Sequence, residues 1–486
     1  MVAEDVFVFL NESKAAANMA AWNDPAVEKL WLYNLHYFDD LNAIGSANRR
    51  EQHTRLIERW IDENPPGSGN GWEPYPISLR IVNWIKWSLG GGALSSRAIA
   101  SLAIQTRFLS ERLEFHLLGN HLLANAKALI FSGAFFNKEE ADKWLVKGLA
   151  ILRRELPEQI LADGGHFERS PMYHGIILED FLDIENVAKA YGLGVFIRPE
   201  MLAKMRDWLA TMCHPDGEIS FFNDAAFGVA PRLTELNDYA ERLKHPAQIK
   251  SSDGVVHLTE SGYIRLQRKN AVLIVDAAPI GPSYLPGHAH ADTLSFELSL
   301  HCQRVMVNSG TSCYGNGLER QRQRGTAAHN TLLIDGRDSS EVWDGFRVAR
   351  RAHVQYLDIA ETTDDDRVEA SHDGYRRLKG RSQHRRSWLL DDESLVIEDQ
   401  VTGAIDGAEI RLHLHPDIAV LEAGVSKVSL RLTDGRMVEV AFEGASMLVE
   451  HTTWHPYFGV STPNICLVGA LAGSWARTVI NWGENG

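Results

Sequence analysis

At 486 residues, with 44% hydrophobic and 23% charged residues, the chain exceeds what one hydrophobic core supports and carries no disorder signature, so two or three folded domains are expected. Its 64 acidic against 49 basic residues, a formal net charge of −15, argue against a nucleic-acid binder. They leave room for an acidic polymer, because the cations are unevenly placed.

No apolar run reaches the length of a membrane span, so no membrane partner is expected. The start, MVAEDVFVFLNESK, is acidic where an export signal needs basic residues. As written, the chain is expected to stay in the cytoplasm, or in the periplasm or outside the cell if a signal has been removed. Cys213, Cys302, Cys313 and Cys466 lack metal-ligand spacing and read as thiols, with only Cys302 and Cys313 near enough in sequence to suggest a bridge.

Up to about residue 245 apolar residues recur at three- and four-residue spacing, predicting medium-length helices such as 98–118, 121–136 and 143–156. Pro65-Pro66-Gly67, Gly90-Gly91-Gly92, Gly164-Gly165 and His214-Pro215-Asp216-Gly217 punctuate them. Trp31, Tyr33, His36, Tyr37, Trp72, Tyr75, Trp84 and Trp87 make the first third rich in aromatics. These either fill helix cores or offer stacking surfaces to sugar rings, and core filling is the expectation for most.

Beyond 246–254 short alternating runs dominate, at 263–275, 304–307, 330–334, 388–397, 409–415 and 428–440, with Asp253-Gly254, Asp335-Gly336 and Asp434-Gly435 as hairpin turns. The expected architecture is multidomain α+β: a helical α/α array over residues 1–248, then an antiparallel β-sandwich over 249–486.

Three words carry candidate chemistry. At Leu118-Gly119-Asn120-His121, Gly and Asn either end one helix and cap the next, or Asn120 and His121 project into a groove with Asn125 on the same face. In His166-Phe167-Glu168-Arg169-Ser170-Pro171-Met172-Tyr173-His174, Ser170 suits an N-cap and Pro171 the first helical position, which puts Tyr173 in the first turn. The positive helix end, with Arg169 beside it, favours the phenolate, so Tyr173 can exchange a proton; the alternative is a ring packed on the preceding loop.

The third word is Gly287-His288-Ala289-His290-Ala291-Asp292. The alternation from Thr293 to Leu300 predicts a half-buried strand. If that geometry runs backwards, His288, His290 and Asp292 share its inward face. A metal site, imidazole catalysis, both, or a hydrogen-bonded histidine pair would satisfy them there. Arg320, Arg322 and Arg324 precede His329 and Arg347, Arg350 and Arg351 follow it; the cluster from Arg376 to Arg386 reads as a solvated strand edge.

Together with Trp31-Leu32-Tyr33-Asn34-Leu35-His36-Tyr37, Trp72-Glu73-Pro74-Tyr75-Pro76-Ile77-Ser78-Leu79-Arg80 and Gly325-Thr326-Ala327-Ala328-His329-Asn330-Thr331, these words resemble the heparinase II/III family of polysaccharide lyases over most of the chain. The resemblance implies an incomplete (α/α) toroid followed by an antiparallel β-sandwich. It also implies β-elimination at a 4-linked uronic acid, with an acidic polysaccharide as partner. Glycosaminoglycans such as heparan sulfate, hyaluronan or chondroitin are the first expectation, alginate or bacterial exopolysaccharide the alternative.

By the same resemblance Asn120, with His121, neutralises the C6 carboxylate. Tyr173 protonates the leaving O4 and, for one uronate epimer, also takes the C5 proton. His288 is the base from the other face. Arg169, Arg324 and Trp72 are candidate substrate contacts. His290 and His329 match holders of one structural divalent metal, zinc or else manganese or calcium. The third ligand falls on Asn308, where an amide binds zinc less well than a carboxylate, and Asp292 is a substitute. No organic cofactor is implied.

Three rival readings compete. A dinuclear metallohydrolase would need further histidines, a glycoside hydrolase would need a carboxylate pair such as Asp163 and Glu168, and a noncatalytic acidic-polysaccharide-binding protein would keep only the cleft.

Overall fold

The computed structural model describes residues 5–194, 196–246 and 253–483; the boundary expected at 248/249 lies outside the described residues. The chain gathers into two compact units, one of Met1–Gln159 with Asp180–Arg198, the other of Ile160–Glu179 with Pro199–Gly486.

The first unit holds the helices Lys29–Tyr37, Arg50–Glu63, Pro74–Leu89, Ser96–Ser110, Gly119–Phe135 and Glu139–Gln159. A hairpin of Val6–Phe9 with Glu12–Ala15 precedes them, which helical periodicity does not foresee. The helix expected over 98–118 stops at Ser110 because a tertiary contact takes the next turn: Asn125 Oδ1 accepts the Glu114 N–H at 2.9 Å. Most aromatics fill the interior, with Trp31, Trp60 and Trp84 fully buried. Arg80 lies 3.8 Å above the Trp60 ring, its donors satisfied by Gln105 Oε1 and the carbonyls of His36 and Gly71. Among the described residues no helix is long and apolar enough to cross a membrane.

Besides the two-stranded hairpin of Val342–Trp343 with Arg347–Val348, the second unit carries three larger sheets, and the named strands all pair antiparallel. Five strands run from Gly254–Leu258 to Gln303–Met306 in sequence order. Eight strands have Gln383–Leu390 and Ser394–Thr402 near their centre, and a four-stranded sheet is ordered Ala445–Trp454, Thr462–Leu471, Ala408–His413, Leu332–Ile334. One apolar core, including Phe296, Leu298, Trp388, Ile397 and Ile410, is shared by all three.

Two sequence expectations change here. The strand near the GHAHAD word begins only at Phe296 and is buried on both faces; Leu294, at φ +62°, breaks the extended run. Its polar residues face a second buried layer, where His214 bonds Ser299 Oγ at 2.7 Å and Glu297 Oε2 at 2.8 Å, and burial pushes the Glu297 carboxyl up to about 7. Alternation therefore marks two different interiors. Arg386, placed by sequence on a solvated edge, is fully buried against Asp399, donating at 2.7 and 3.0 Å, and also donates to the carbonyls of Leu294 and Asn330. All four cysteines are free thiols, Cys302 and Cys313 included.

Burial opposes ionisation of Asp399, but Arg386 and the hydrogen bond from His384 hold its carboxyl at about 2. A carboxyl depressed in the folded state contributes stability above its unfolded value, and that contribution is lost as pH falls from about 4 toward 2, roughly 2 kcal/mol for this shift. Asp399→Asn is expected to destabilise by about 3 kcal/mol, because Arg386 keeps a buried unpaired charge. It should also flatten the acid limb of stability against pH in urea denaturation.

Candidate active site

The site in the second unit is organised by Asn223 and Asp224, which follow two buried phenylalanines. Asn223 sits at φ +57°. Its amide accepts the His290 N–H at 3.1 Å and donates to Arg169 O at 3.0 Å, and its own N–H donates to Asp292 Oδ2 at 3.1 Å. Ser170 Oγ donates to Asp224 O and accepts the Tyr173 N–H at 3.1 Å. This caps the helix Pro171–Tyr191 as the sequence predicts. The helix start and the GHAHAD loop are thus tied to the same two residues.

The Asp224 carboxylate is fully buried. Oδ2 accepts from His288 Nδ1 at 2.8 Å and from Arg320 Nη2 at 2.8 Å; Oδ1 accepts from His290 Nε2 at 2.9 Å and from Arg320 Nη1. Burial alone would raise its pKa, but Arg320 and the bonds from His288 and His290 hold it well below the usual range. A carboxylate only accepts, so each histidine must present N–H to it. In the neutral form of each ring, that leaves His288 Nε2 and His290 Nδ1 as the acceptors.

His288 Nε2 is 3.9 Å from Glu168 Oε2. The Tyr173 ring lies over His288, centroids 4.0 Å apart at 35°, and the Tyr173 hydroxyl is 2.8 Å from that of Tyr314. Burial pushes the Tyr314 phenol up, with the Asp224 charge adding to it. A phenol with a bonded hydroxyl partner, stacked beside an imidazole whose free nitrogen is an acceptor, has the parts of an acid–base pair.

His290 Nδ1 faces His329 Nε2 at 3.3 Å. Burial lowers both imidazoles, to about 4 and about 3, so both are neutral near pH 7. With Asp292 they form the one group of three potential metal ligands among the described residues, ligand atoms all within 4.8 Å. Two nitrogens on one tetrahedral zinc at about 2.0–2.1 Å lie roughly 3.3–3.4 Å apart, so the pair fits such an ion. Asn308 Oδ1, which the sequence offered as third ligand, accepts the Asn330 N–H at 3.0 Å, using one of its two lone pairs.

In the first unit, Asn120 lies in the first turn of the helix Gly119–Phe135 and is buried. His121 Nδ1 bonds Glu114 Oε1 at 3.0 Å, its ring 4.4 Å from that of Tyr75. Asn125 instead bonds Ser78 and Glu114.

The three candidate substrate contacts are spoken for. Arg169 donates to the carbonyls of Ser261, Phe167 and Glu260. Arg324 donates to those of Ala289, Asp344 and Arg347. Trp72 is buried, its Nε1 donating to Asn64 O at 3.1 Å. Sequence reasoning missed Asp224, Tyr314 and the role of Arg320; the available signal was a carboxylate inside the apolar run Phe221-Phe222-Asn223-Asp224-Ala225-Ala226-Phe227, which must find a partner.

A family model described as heparinase II/III-like, C-terminal, matches residues 251–479, and one described as heparinase II/III N-terminus matches residues 93–250. The chain is 28% identical over 320 residues to a heparin-sulfate lyase of Bacteroides stercoris, covering 61% of this chain and 45% of that protein. It is 26% identical over 425 residues to FtsZ-localized protein C of Caulobacter vibrioides, covering 79% and 69%. It resembles a crystal structure of heparinase III with a TM-score of 0.76 at 18% identity, over 99% of this chain and 80% of that one. The chain spans about half the length of the heparin-sulfate lyases of B. stercoris and Pedobacter heparinus. The structural likeness shows the fold: an incomplete (α/α) toroid followed in sequence by an antiparallel β-sandwich.

Removing the Arg320 charge leaves Asp224 a buried carboxylate with neutral partners only. Arg320→Met is expected to cost about 3–5 kcal/mol in chemical denaturation, and Arg320→Lys to restore only part of it, since an ammonium cannot reproduce the two-pronged contact.

Proposed function

Since this chain belongs to the heparinase II/III family, we propose that it is a polysaccharide lyase that cuts 4-linked uronic-acid chains by β-elimination, with a glycosaminoglycan as substrate. The observation that carries the reading is the Tyr173–His288 pair, in which Asp224 fixes the imidazole tautomer and leaves Nε2 able to take a proton. In this reading His288 removes the C5 proton and Tyr173 delivers one to the departing O4, or takes the C5 proton itself for the other epimer. Asn120, with His121 beside it, donates hydrogen bonds to the C6 carboxylate as charge develops there. The heparin-sulfate lyase relatives support a glycosaminoglycan over alginate or exopolysaccharide. The division at 248/249 belongs to the same proposal, supported by family models that meet at residues 250 and 251.

The glycosidase alternative loses its carboxylate pair, because Asp163 accepts from the backbone of Gly165, Glu260 and Ser261. Binding without catalysis is the second reading; one relative, covering 79% of this chain, is named for FtsZ localisation and not as a lyase. In a panel of uronate polymers followed by the ultraviolet absorbance of unsaturated ends, the wild type should produce such ends from at least one glycosaminoglycan. Tyr173→Phe and His288→Ala should each slow it about 100-fold or more. A wild type that binds these polymers and yields no unsaturated ends overturns the lyase reading in favour of binding alone.

His290, His329 and Asp292 would hold a divalent metal, zinc first by donor type, whose contribution when bound would be to cross-link the loops that carry them. Elemental analysis of protein purified with zinc, manganese and calcium present should find about one equivalent per chain. His329→Ala should lose it, and chelation should lower Tm; a metal-free wild type would refute the assignment.

A further inference from the structure

Beside the Tyr173–His288 pair stands a short hairpin whose exposed groups the reaction above does not use. Val342–Trp343 pairs with Arg347–Val348, so Trp343 and Arg347 are direct cross-strand neighbours and share one side of the ladder. Its tip is Asp344-Gly345-Phe346. A Cβ on Gly345 would lie 2.5 Å from Gly315 O, next in sequence to Tyr314, and one on Gly287 would lie 3.7 Å from Phe346 Cβ, next to His288. The Phe346 ring is 5.8 Å from His288 and 5.2 Å from Tyr314. Two buried arginines fix the turn: Arg320, which also holds Asp224, donates to Gly345 O at 3.0 Å, and Arg324 donates to the carbonyls of Asp344 and Arg347. The hairpin tip and the tautomer of His288 therefore depend on the same guanidinium.

Outward, this fixed element presents Trp343, 53% exposed, and Phe346, 41% exposed. Arg347 is exposed, and among the described residues no acid pairs with it. Nearby Arg350 is held by Glu341, and Arg351 donates to Pro282 O. Aromatic faces suit the flat C–H faces of a pyranose, and a guanidinium suits a carboxylate or sulfate. A chain of net charge −15 repels a polyanion overall, but that repulsion is screened beyond about 10 Å, so an unpaired cation at short range decides local binding. We propose that the Val342–Val348 hairpin is a sugar-binding arm, on which Trp343 and Phe346 stack against an acidic oligosaccharide and Arg347 pairs with an anionic group of the sugar flanking the one that reacts. The sugar's chemistry rests on the lyase reading; the arm itself is read from the hairpin.

The test uses the full chain. For the polymer it cleaves, Trp343→Ala and Arg347→Ala should each raise KM about fivefold to tenfold, with a smaller change in kcat. Arg347→Ala should also weaken the salt dependence of KM, Arg347→Lys should recover part of the loss, and Arg431→Ala, which removes an exposed charge from the strand Lys427–Arg431, should leave KM as it is. Tryptophan fluorescence titration of the Tyr173→Phe variant with size-defined heparan sulfate, chondroitin and hyaluronan oligosaccharides reads binding without turnover, and its quench should shrink in Trp343→Ala. Cleavage with unchanged KM in both hairpin variants overturns the arm and leaves the lyase reading standing. Hairpin-dependent binding without cleavage by the wild type overturns the lyase reading and leaves the arm. Absence of binding to every oligosaccharide overturns the arm.

Discussion

A single buried carboxylate, Asp224, is the constraint on which the candidate site depends. It accepts hydrogen bonds from two histidines and a two-pronged arginine with no exposure to water. Such a charge persists in the interior only when every lone pair is used, so the positions of His288, His290 and Arg320 are conditions of one another. The chemistry follows from an elementary asymmetry: a carboxylate that only accepts forces the facing imidazole nitrogens to donate. The nitrogens left over point toward Glu168 in one case and His329 in the other. The same carboxylate thus orients both the histidine proposed to accept a proton and the one proposed to hold a metal, two residues away.

Electrostatics elsewhere repeat this economy. Arg80, Arg320, Arg324 and Arg386 are fully buried, and they serve backbone carbonyls and buried acids. Arg386 shows how far the effect extends: held by Asp399, it bonds the carbonyl two residues after Asp292 and the one immediately after His329. A pair inside the sandwich thereby fixes both segments that carry the candidate metal ligands. The chain's net charge of −15 gives it no basic field overall. An acidic polymer would then be recognised by a few cations rather than by a basic field.

Much was legible in the chain itself. Helical and alternating periodicities locate both structural regimes, because apolar spacing of three to four or of two is imposed by helix and strand geometry. The Ser170 cap, the Tyr173 turn position and the three family words are local, and local physics sets them. The GHAHAD word is legible as polar groups that demand partners, but its geometry is not: alternation from Thr293 marks polar residues facing a second buried layer, and Leu294 turns the backbone before the strand starts.

What the sequence determined by itself, then, is the inventory: a helical region, a sheet region, a capped tyrosine and two histidines that demand partners, all set by short-range periodicity and turn chemistry. Tertiary structure alone decided which groups answer that demand. Asp224 lies 64 residues before His288, and Tyr314 141 residues after Tyr173, separations over which no local rule acts. Arg169 and Arg324 are offered by sequence as substrate contacts, and the structure makes them buried props, because backbone carbonyls left open by irregular loops need donors. Whether a charged side chain serves a ligand or the fold is set by which unsatisfied partner lies within reach, and that is a property of packing.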